Sequence, residues 1–301
     1  MRRLHFLPAA VLCLVLLSGC TLLRLGYGQI DHFAEWTADE YFDLGPEQKD
    51  EFRKRFQRLH AWHRYDQLPD YARFLTSVST RIREGLEQQD AMWIGSGIEE
   101  RYRALVARSA DDAAALLMTI TPGQLEALQR KWDRQNSRFM REHRVTGTPE
   151  QQQRARVERE IERIEEWAGD VSGEQKKKIA ELSRSVPLAL RLRYEDRLRR
   201  QRGFMQLMEQ RGDPREFASR LRHFLLNWEE GRAPEYRRVY AEWREKQAGF
   251  YLEVVRMLTE RQRATLLQRV QRYTDDFTRL AQRDGSGTGS GSSPRAVTGE
   301  R

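Results

Sequence analysis

Leu258-Thr259-Glu260-Arg261-Gln262-Arg263-Ala264-Thr265-Leu266 contains a complete signal for starting a helix. Thr259 is placed to accept from an exposed N–H of the first turn, and Gln262, three residues on, to reach back to the Thr259 N–H. Leu258 and Leu266 bracket this capping box with apolar anchors. The same phrase, an apolar residue, a small cap, glutamine three residues after the cap and an apolar residue four further on, occurs four times. The other copies are Leu44-Gly45…Gln48…Phe52, Ile120-Thr121…Gln124…Leu128 and Val171-Ser172…Gln175…Ile179. Gly45 has no side chain to cap with, so the first copy is the weakest. The intervals between the glutamines, 76, 51 and 87 residues, are unequal and exclude a solenoid array.

Around these starts, apolar residues recur at the helical period. Tyr71, Leu75, Val78, Ile82 and Leu86 form one stripe, and Phe217, Leu221, Phe224 and Trp228 a second. Val157, Ile161 and Ile164 form a third, and the run from Tyr236 through Val239, Trp243, Phe250 and Val254 to Met257 a fourth. No sustained alternation of β-branched residues signals a strand. Six prolines stand where helices can begin, at positions 46, 69, 122, 149, 214 and 234, and Asp213 precedes one of them as an N-cap. The chain therefore reads as all-α, with about nine or ten amphipathic helices in a bundle-like body over 31–283 and a sub-boundary near 145–150. The Gly/Ser-rich tail 284–301 lacks apolar residues to bury and reads as disordered.

The amino terminus sets the compartment. Two arginines, an apolar run from Leu4 to Leu17 and then Ser18, Gly19 and Cys20 describe an export segment. Leu17-Ser18-Gly19-Cys20 resembles the lipobox of bacterial lipoproteins. That resemblance implies a signal peptide over 1–19, diacylglyceryl transfer to Cys20, a palmitate-type acyl anchor and a lipidated tether over 20–30. Threonine at position 21, rather than aspartate, implies sorting to the outer membrane, with the body facing the periplasm. Cys13 leaves with the signal peptide, so a mature protein holds no disulfide.

The net charge of +8 falls to about +6 without Arg2 and Arg3. For an exported chain nucleic acid is not the partner. The expected partners are the membrane through the acyl chains, and an envelope protein, peptidoglycan or lipopolysaccharide. Most of the charge reads as salt-bridged helix faces, as in Arg154-Ala-Arg-Val-Glu158-Arg-Glu160.

The repeated phrase is similar to the LTxxQ motif of the Spy and Cpx-periplasmic family, small all-helical envelope-stress proteins that include a chaperone. Leu258-Thr259-Glu260-Arg261-Gln262 matches it letter for letter. More broadly, Trp36-Thr-Ala-Asp39-Glu-Tyr41-Phe-Asp43-Leu44, Gln48, Trp62-His63-Arg64 and Leu68-Pro69-Asp-Tyr71 resemble an uncharacterised family of proteobacterial lipoproteins, a domain of unknown function. That resemblance supports an all-helical lipoprotein and implies no activity.

The segment from Trp36 to Tyr71 is the densest in aromatic and polar residues. Its candidate ligand-binding set is Trp36, Tyr41, Trp62, His63 and Arg64, with packing as the competing role for the rings. His60 and His63, three residues apart, lack a third ligand nearby, so no metal is assigned. No nucleophile elbow, phosphate loop or dinucleotide fingerprint is present, and no catalytic residue or cofactor is implied. The sequence supports a binding or scaffolding protein of the envelope, with a chaperone-like stress protein and a glycan- or lipid-acting enzyme as alternatives.

Overall fold

The computed structural model describes residues 26–282. The export segment with Leu17, Ser18, Gly19 and Cys20, the first residues of the tether and the tail lie outside the described residues. Eleven α-helices follow one another, and the described residues contain no strand. They are α1 (Ile30–Phe42), α2 (Pro46–Trp62), α3 (Leu68–Glu84), α4 (Gln88–Leu117), α5 (Pro122–Glu142) and α6 (Pro149–Ala168). Then come α7 (Gly173–Arg184), α8 (Leu190–Glu209), α9 (Pro214–Leu226), α10 (Pro234–Arg256) and α11 (Glu260–Ala281). The number slightly exceeds the nine or ten that the sequence suggests. α4 and α8 begin at Gln88 and Leu190 without a proline or a Ser/Thr cap to announce them. All six helix-starting prolines do open helices, and Asp213 caps α9 by accepting from the Arg215 and Glu216 N–H groups.

Between α2 and α3 the chain makes a five-residue π segment, His63–Gln67, closed by the Leu68 N–H donating to the His63 carbonyl. Pro69 has no N–H to extend a regular ladder, and the wider turn absorbs the mismatch. The tether does not simply hang from the body. The Tyr27 hydroxyl lies 2.9 Å from His63 Nδ1, and its ring packs against His60 and His63.

The four glutamine phrases meet in pairs. At the starts of α2 and α5, Gln48 Nε2 donates to Gln124 Oε1 (3.1 Å) and Gln124 Nε2 donates to Gln48 Oε1 (2.7 Å). Each amide also donates across to a carbonyl two residues before the other's cap: Gln48 to Thr119 and Gln124 to Asp43, both at 2.8 Å. Each glutamine oxygen still accepts from its own cap residue, Gly45 or Thr121. The starts of α7 and α11 repeat the arrangement. Gln175 and Gln262 exchange bonds of 2.8 and 3.0 Å, and donate to the Met257 and Asp170 carbonyls. The result is two pseudo-symmetric knots. In each, two helices arrive, α1 with α4 or α6 with α10, and two depart. A fifth capping box, Thr148 with Gln151, opens α6 without such a partner glutamine.

The apolar residues of the phrase bury at the same places. Leu44, Ile120 and Leu128 enter one core with Ala114, Phe217 and Leu221, and Phe52 packs against it. Val171, Leu258 and Ile179 enter a second with Ile164, Phe250 and Val254, and Leu266 packs against it. A third cluster, Phe74, Val78 and Ile82, lies where α3 runs along α11, the most extensive helix–helix contact of the molecule.

The knots make a prediction. Gln262 is buried, and Gln262→Ala strands the Thr259 N–H, the Asp170 carbonyl and Gln175. Urea denaturation should show a loss of about 1–3 kcal/mol. The Gln175→Ala/Gln262→Ala double variant should lose about 1 kcal/mol less than the two single variants together, because they share one interaction.

Candidate functional site

The five residues singled out near the amino terminus do not converge. Trp36 is 57% exposed and packs its ring on the equally outlying Phe33. Arg64 donates to the Leu280 carbonyl of α11 at 2.6 Å, and Trp62 is half-buried near the end of α2. His63 joins a run of nine rings: Phe52, Phe56, His60, Tyr27, His63, Tyr71, Phe277, Tyr273 and Trp167, each within 6.3 Å of the next. This run ties α2 and α3 to α11 and α6, so most of the N-terminal aromatics are packing. His60 Nδ1 pairs with Asp31 at 2.9 Å. No group of three or more His, Cys, Asp or Glu among the described residues is placed to hold a metal ion.

Of the five, Tyr41 lines a large cavity. Its hydroxyl accepts from Gln135 at 2.7 Å, and Lys131 lies 4.5 Å over its ring. The cavity is an open groove of about 1110 Å³ bounded by α4, α5, α8, α9 and α10. Trp132, Phe204, Phe224, Trp228, Tyr240 and Trp243 supply its aromatic surface. One wall is the outer face of α4, where Met92, Gly95, Ile98 and Tyr102 follow one another at helical spacing. Ile98 is 60% exposed, and Met92 and Tyr102 are also exposed. This is an apolar rim open to solvent.

Behind Trp228, Tyr240 and Trp243 lies a second chamber of about 570 Å³. The two chambers share these three residues with Arg200, Gln247 and Tyr251, which form the partition between them. The second chamber is lined by arginines: Arg156, Arg159 and Arg163 from α6, and Arg193 and Arg200 from α8.

The partition is built from below by Arg232, which is 2% exposed. Its guanidinium carbon lies 4.7, 4.8 and 4.5 Å from the rings of Trp228, Tyr236 and Tyr240. Glu229 at 3.2 Å and the buried Asp196 at 3.7 Å compensate its charge. Tyr240 stacks on Trp243 at 5.7 Å. Arg199 donates to the Trp228 and Glu230 carbonyls, fixing the turn that carries Trp228.

Burial sets the protonation states here. It pushes the Tyr236, Tyr240 and Tyr251 phenols above their ordinary values, so they act as neutral hydrogen-bonding groups. Burial also pulls Arg156 and Arg200 downwards from the usual guanidinium value, a cost of holding charge in a partly dry site. Arg163 is raised, first by its hydrogen bond to Tyr251.

Sequence reasoning centred on residues 36–71 missed this site. The missed signal was aromatic density from Trp228 to Tyr251 combined with six arginines between 191 and 202. The stripe of Tyr236, Trp243 and Phe250 reads as core by its period, yet only part of it is. Tyr236 and Phe250 are buried, whereas Trp243 faces the groove.

Among known proteins, residues 40–237 match the model of a family described as a family of unknown function (DUF6279). No curated protein and no solved structure matches the chain. No helix among the described residues is long and apolar enough to cross a membrane.

The histidine cluster gives a pH prediction. Burial, with His60 adding in the same direction, holds His63 below its ordinary value of 6.5. The unfolded chain therefore binds the proton more readily. The stabilisation from a neutral His63 is complete above about pH 6.5 and is lost as the pH falls through the lower, folded value. Urea midpoints of the wild type should decline as the pH falls below about 6.5. His63→Gln, which keeps an acceptor for Tyr27, should flatten that decline. An identical decline in the variant would remove His63 as its source.

Proposed function

We propose that the chain, which belongs to the DUF6279 family of unknown function, is a lipid-anchored binding protein of the bacterial envelope that holds an apolar ligand in the α4–α10 groove. The anchor rests on Leu17-Ser18-Gly19-Cys20, which has the form of a bacterial lipobox, and threonine at position 21 favours the outer membrane, with the body in the periplasm. The binding function rests on one observation, an aromatic groove of about 1110 Å³ with a fixed partition and an exposed apolar rim. Soluble proteins rarely leave such surface open without a use for it. A chaperone-like role is the second reading. It draws on the same rim of Met92, Ile98 and Tyr102, used to hold an unfolded segment instead of a small molecule.

Two experiments test the proposal. Cys20→Ala should abolish incorporation of labelled palmitate and move the protein out of the membrane fraction. In membranes carrying the full-length protein, a photoreactive monoacylglycerol should label α4 and α10. Gly95 lines the groove, and a Cβ added there meets nothing within 4 Å. Gly95→Phe should therefore fold normally, project a ring from the α4 wall into the groove and reduce labelling about tenfold, the effect of losing about 1.4 kcal/mol of binding. Undiminished labelling in that variant would place the ligand elsewhere. Suppression of the aggregation of a denatured client, unaffected by Gly95→Phe, would favour the chaperone reading.

A further inference from the structure

The charged groups around the two chambers fall into distinct classes. Every carboxylate of the lining is held by an arginine: Glu99 by Arg103 at 2.9 Å, Glu229 by Arg232 at 3.2 Å, Glu160 by Arg163 at 3.2 Å and Asp196 by Arg199 at 2.8 Å. Three of these four partners, Arg103, Arg199 and Arg232, lie outside the lining. The lining has seven arginines of its own, and only Arg163 and Arg200 reach a carboxylate.

None of the remaining five has a carboxylate within ion-pair distance among the described residues, although Glu160 acts on Arg156 through space. Arg156 donates only to neutral acceptors, the Val186 and Pro187 carbonyls and the Gln247 amide. Arg197 donates to the Asn136 and Gln135 amides. Arg193 lies 5.7 Å from the Phe139 ring, and Arg159 and Arg244 pair with no acid. Elsewhere both kinds occur: Arg53, Arg58 and Arg103 pair with carboxylates, whereas Arg211 and Arg220 donate to backbone carbonyls. Five guanidinium groups without an ion pair thus converge on the lining of these two chambers, beside an apolar wall. The start of α8 adds to the positive field. Ala189 supplies no side-chain cap to the first-turn N–H groups, and Ala189 and Leu190 line the arginine chamber.

Positive charge that a fold leaves uncompensated beside an apolar wall suits a ligand with one anionic end and one apolar end. We infer that the two chambers form one site for an anionic amphiphile, a lipid whose acyl chain lies along Trp132, Phe204 and Trp243 and whose phosphate or carboxylate headgroup is held by Arg156, Arg159 and Arg193. This inference rests on the groove reading above and adds the chemical class of the ligand. The groove exceeds the range of about 300–1,000 Å³ common for small-molecule pockets, which is room for an acyl chain. Trp228, Tyr240 and Trp243, which border both chambers, mark where chain gives way to headgroup.

The test compares two photoreactive probes of equal chain length in membranes holding the full-length protein. One is a lysophosphatidic acid, the other a monoacylglycerol. The phosphate probe should label α6, α8 and α10 at least tenfold more strongly. Arg159→Ala/Arg193→Ala should remove that advantage while leaving monoacylglycerol labelling and the urea midpoint unchanged. Glycerol phosphate, the headgroup without a chain, should fail to compete.

Equal labelling by both probes, unaltered by the arginine substitutions but lost in Gly95→Phe, would overturn headgroup recognition and leave the groove reading standing. Full competition by glycerol phosphate would overturn the amphiphile in favour of a simple anion site. Labelling by neither probe above the Gly95→Phe background would overturn both readings.

Discussion

Reciprocal glutamine pairing is the constraint on which this fold depends. A side-chain amide has one oxygen and two N–H groups, and here, with Gln262 buried and Gln48, Gln124 and Gln175 half-buried, all of them find partners. In each knot the oxygen accepts from the glutamine's own cap and from the opposing amide, while the nitrogen donates to that amide and to a carbonyl before the other cap. The bonds that cross between the starts of α2 and α5 close only when the two starts meet in one register. The same holds for α7 and α11. The apolar residue preceding each cap is buried beside the knot, so polar register and hydrophobic core specify one geometry.

This constraint places the groove. α4 runs into the first knot and α10 into the second, and α4 is 30 residues long and α10 23. Their facing stretches, Met92 to Tyr102 and Tyr240 to Tyr251, lie well upstream of the knots at Thr121 and Thr259. Long helices held at their ends by different knots need not close on each other over their whole length. α8 and α9 belong to neither knot. α9 packs against α4, while α8 carries both Phe204 of the apolar chamber and Arg193 of the charged one.

The fold was legible in the sequence because its signals are local. Capping boxes, prolines and 3.6-residue stripes act within one or two turns, and they marked most helix starts. Glutamine pairing was not legible, because nothing local says that Gln48 meets Gln124 and not Gln175. The site was hidden for a related reason. Tyr236, Tyr240 and Trp243 share a period whether they are buried or line a cavity, and which they do depends on how far α4 stands from α10. The N-terminal segment misled through its density. Its rings form a continuous stack from α2 to α11, and density alone does not separate a stack from a groove. Arg232 had no sequence signature, since an arginine beside two glutamates in a Gly- and Pro-flanked turn reads as solvated.

That buried arginine also bears on how an aromatic groove stays open in water. Rings lining an open space gain by closing on one another, and free side chains would do so. Here the partition cannot swing inward. The Arg232 guanidinium sits beneath Trp228, Tyr236 and Tyr240, compensated by Asp196 and Glu229. Arg199 holds the backbone on which Trp228 is carried. Moving the rings into the groove would strip a buried cation of its aromatic cover. Folding therefore meets the cost of ordering these rings before any ligand arrives. A pre-ordered wall gives up less entropy on binding, so the same contact area yields more affinity. A lining with more guanidinium groups than carboxylates beside that wall then favours an anionic end over an apolar one, which a hydrophobic groove alone does not.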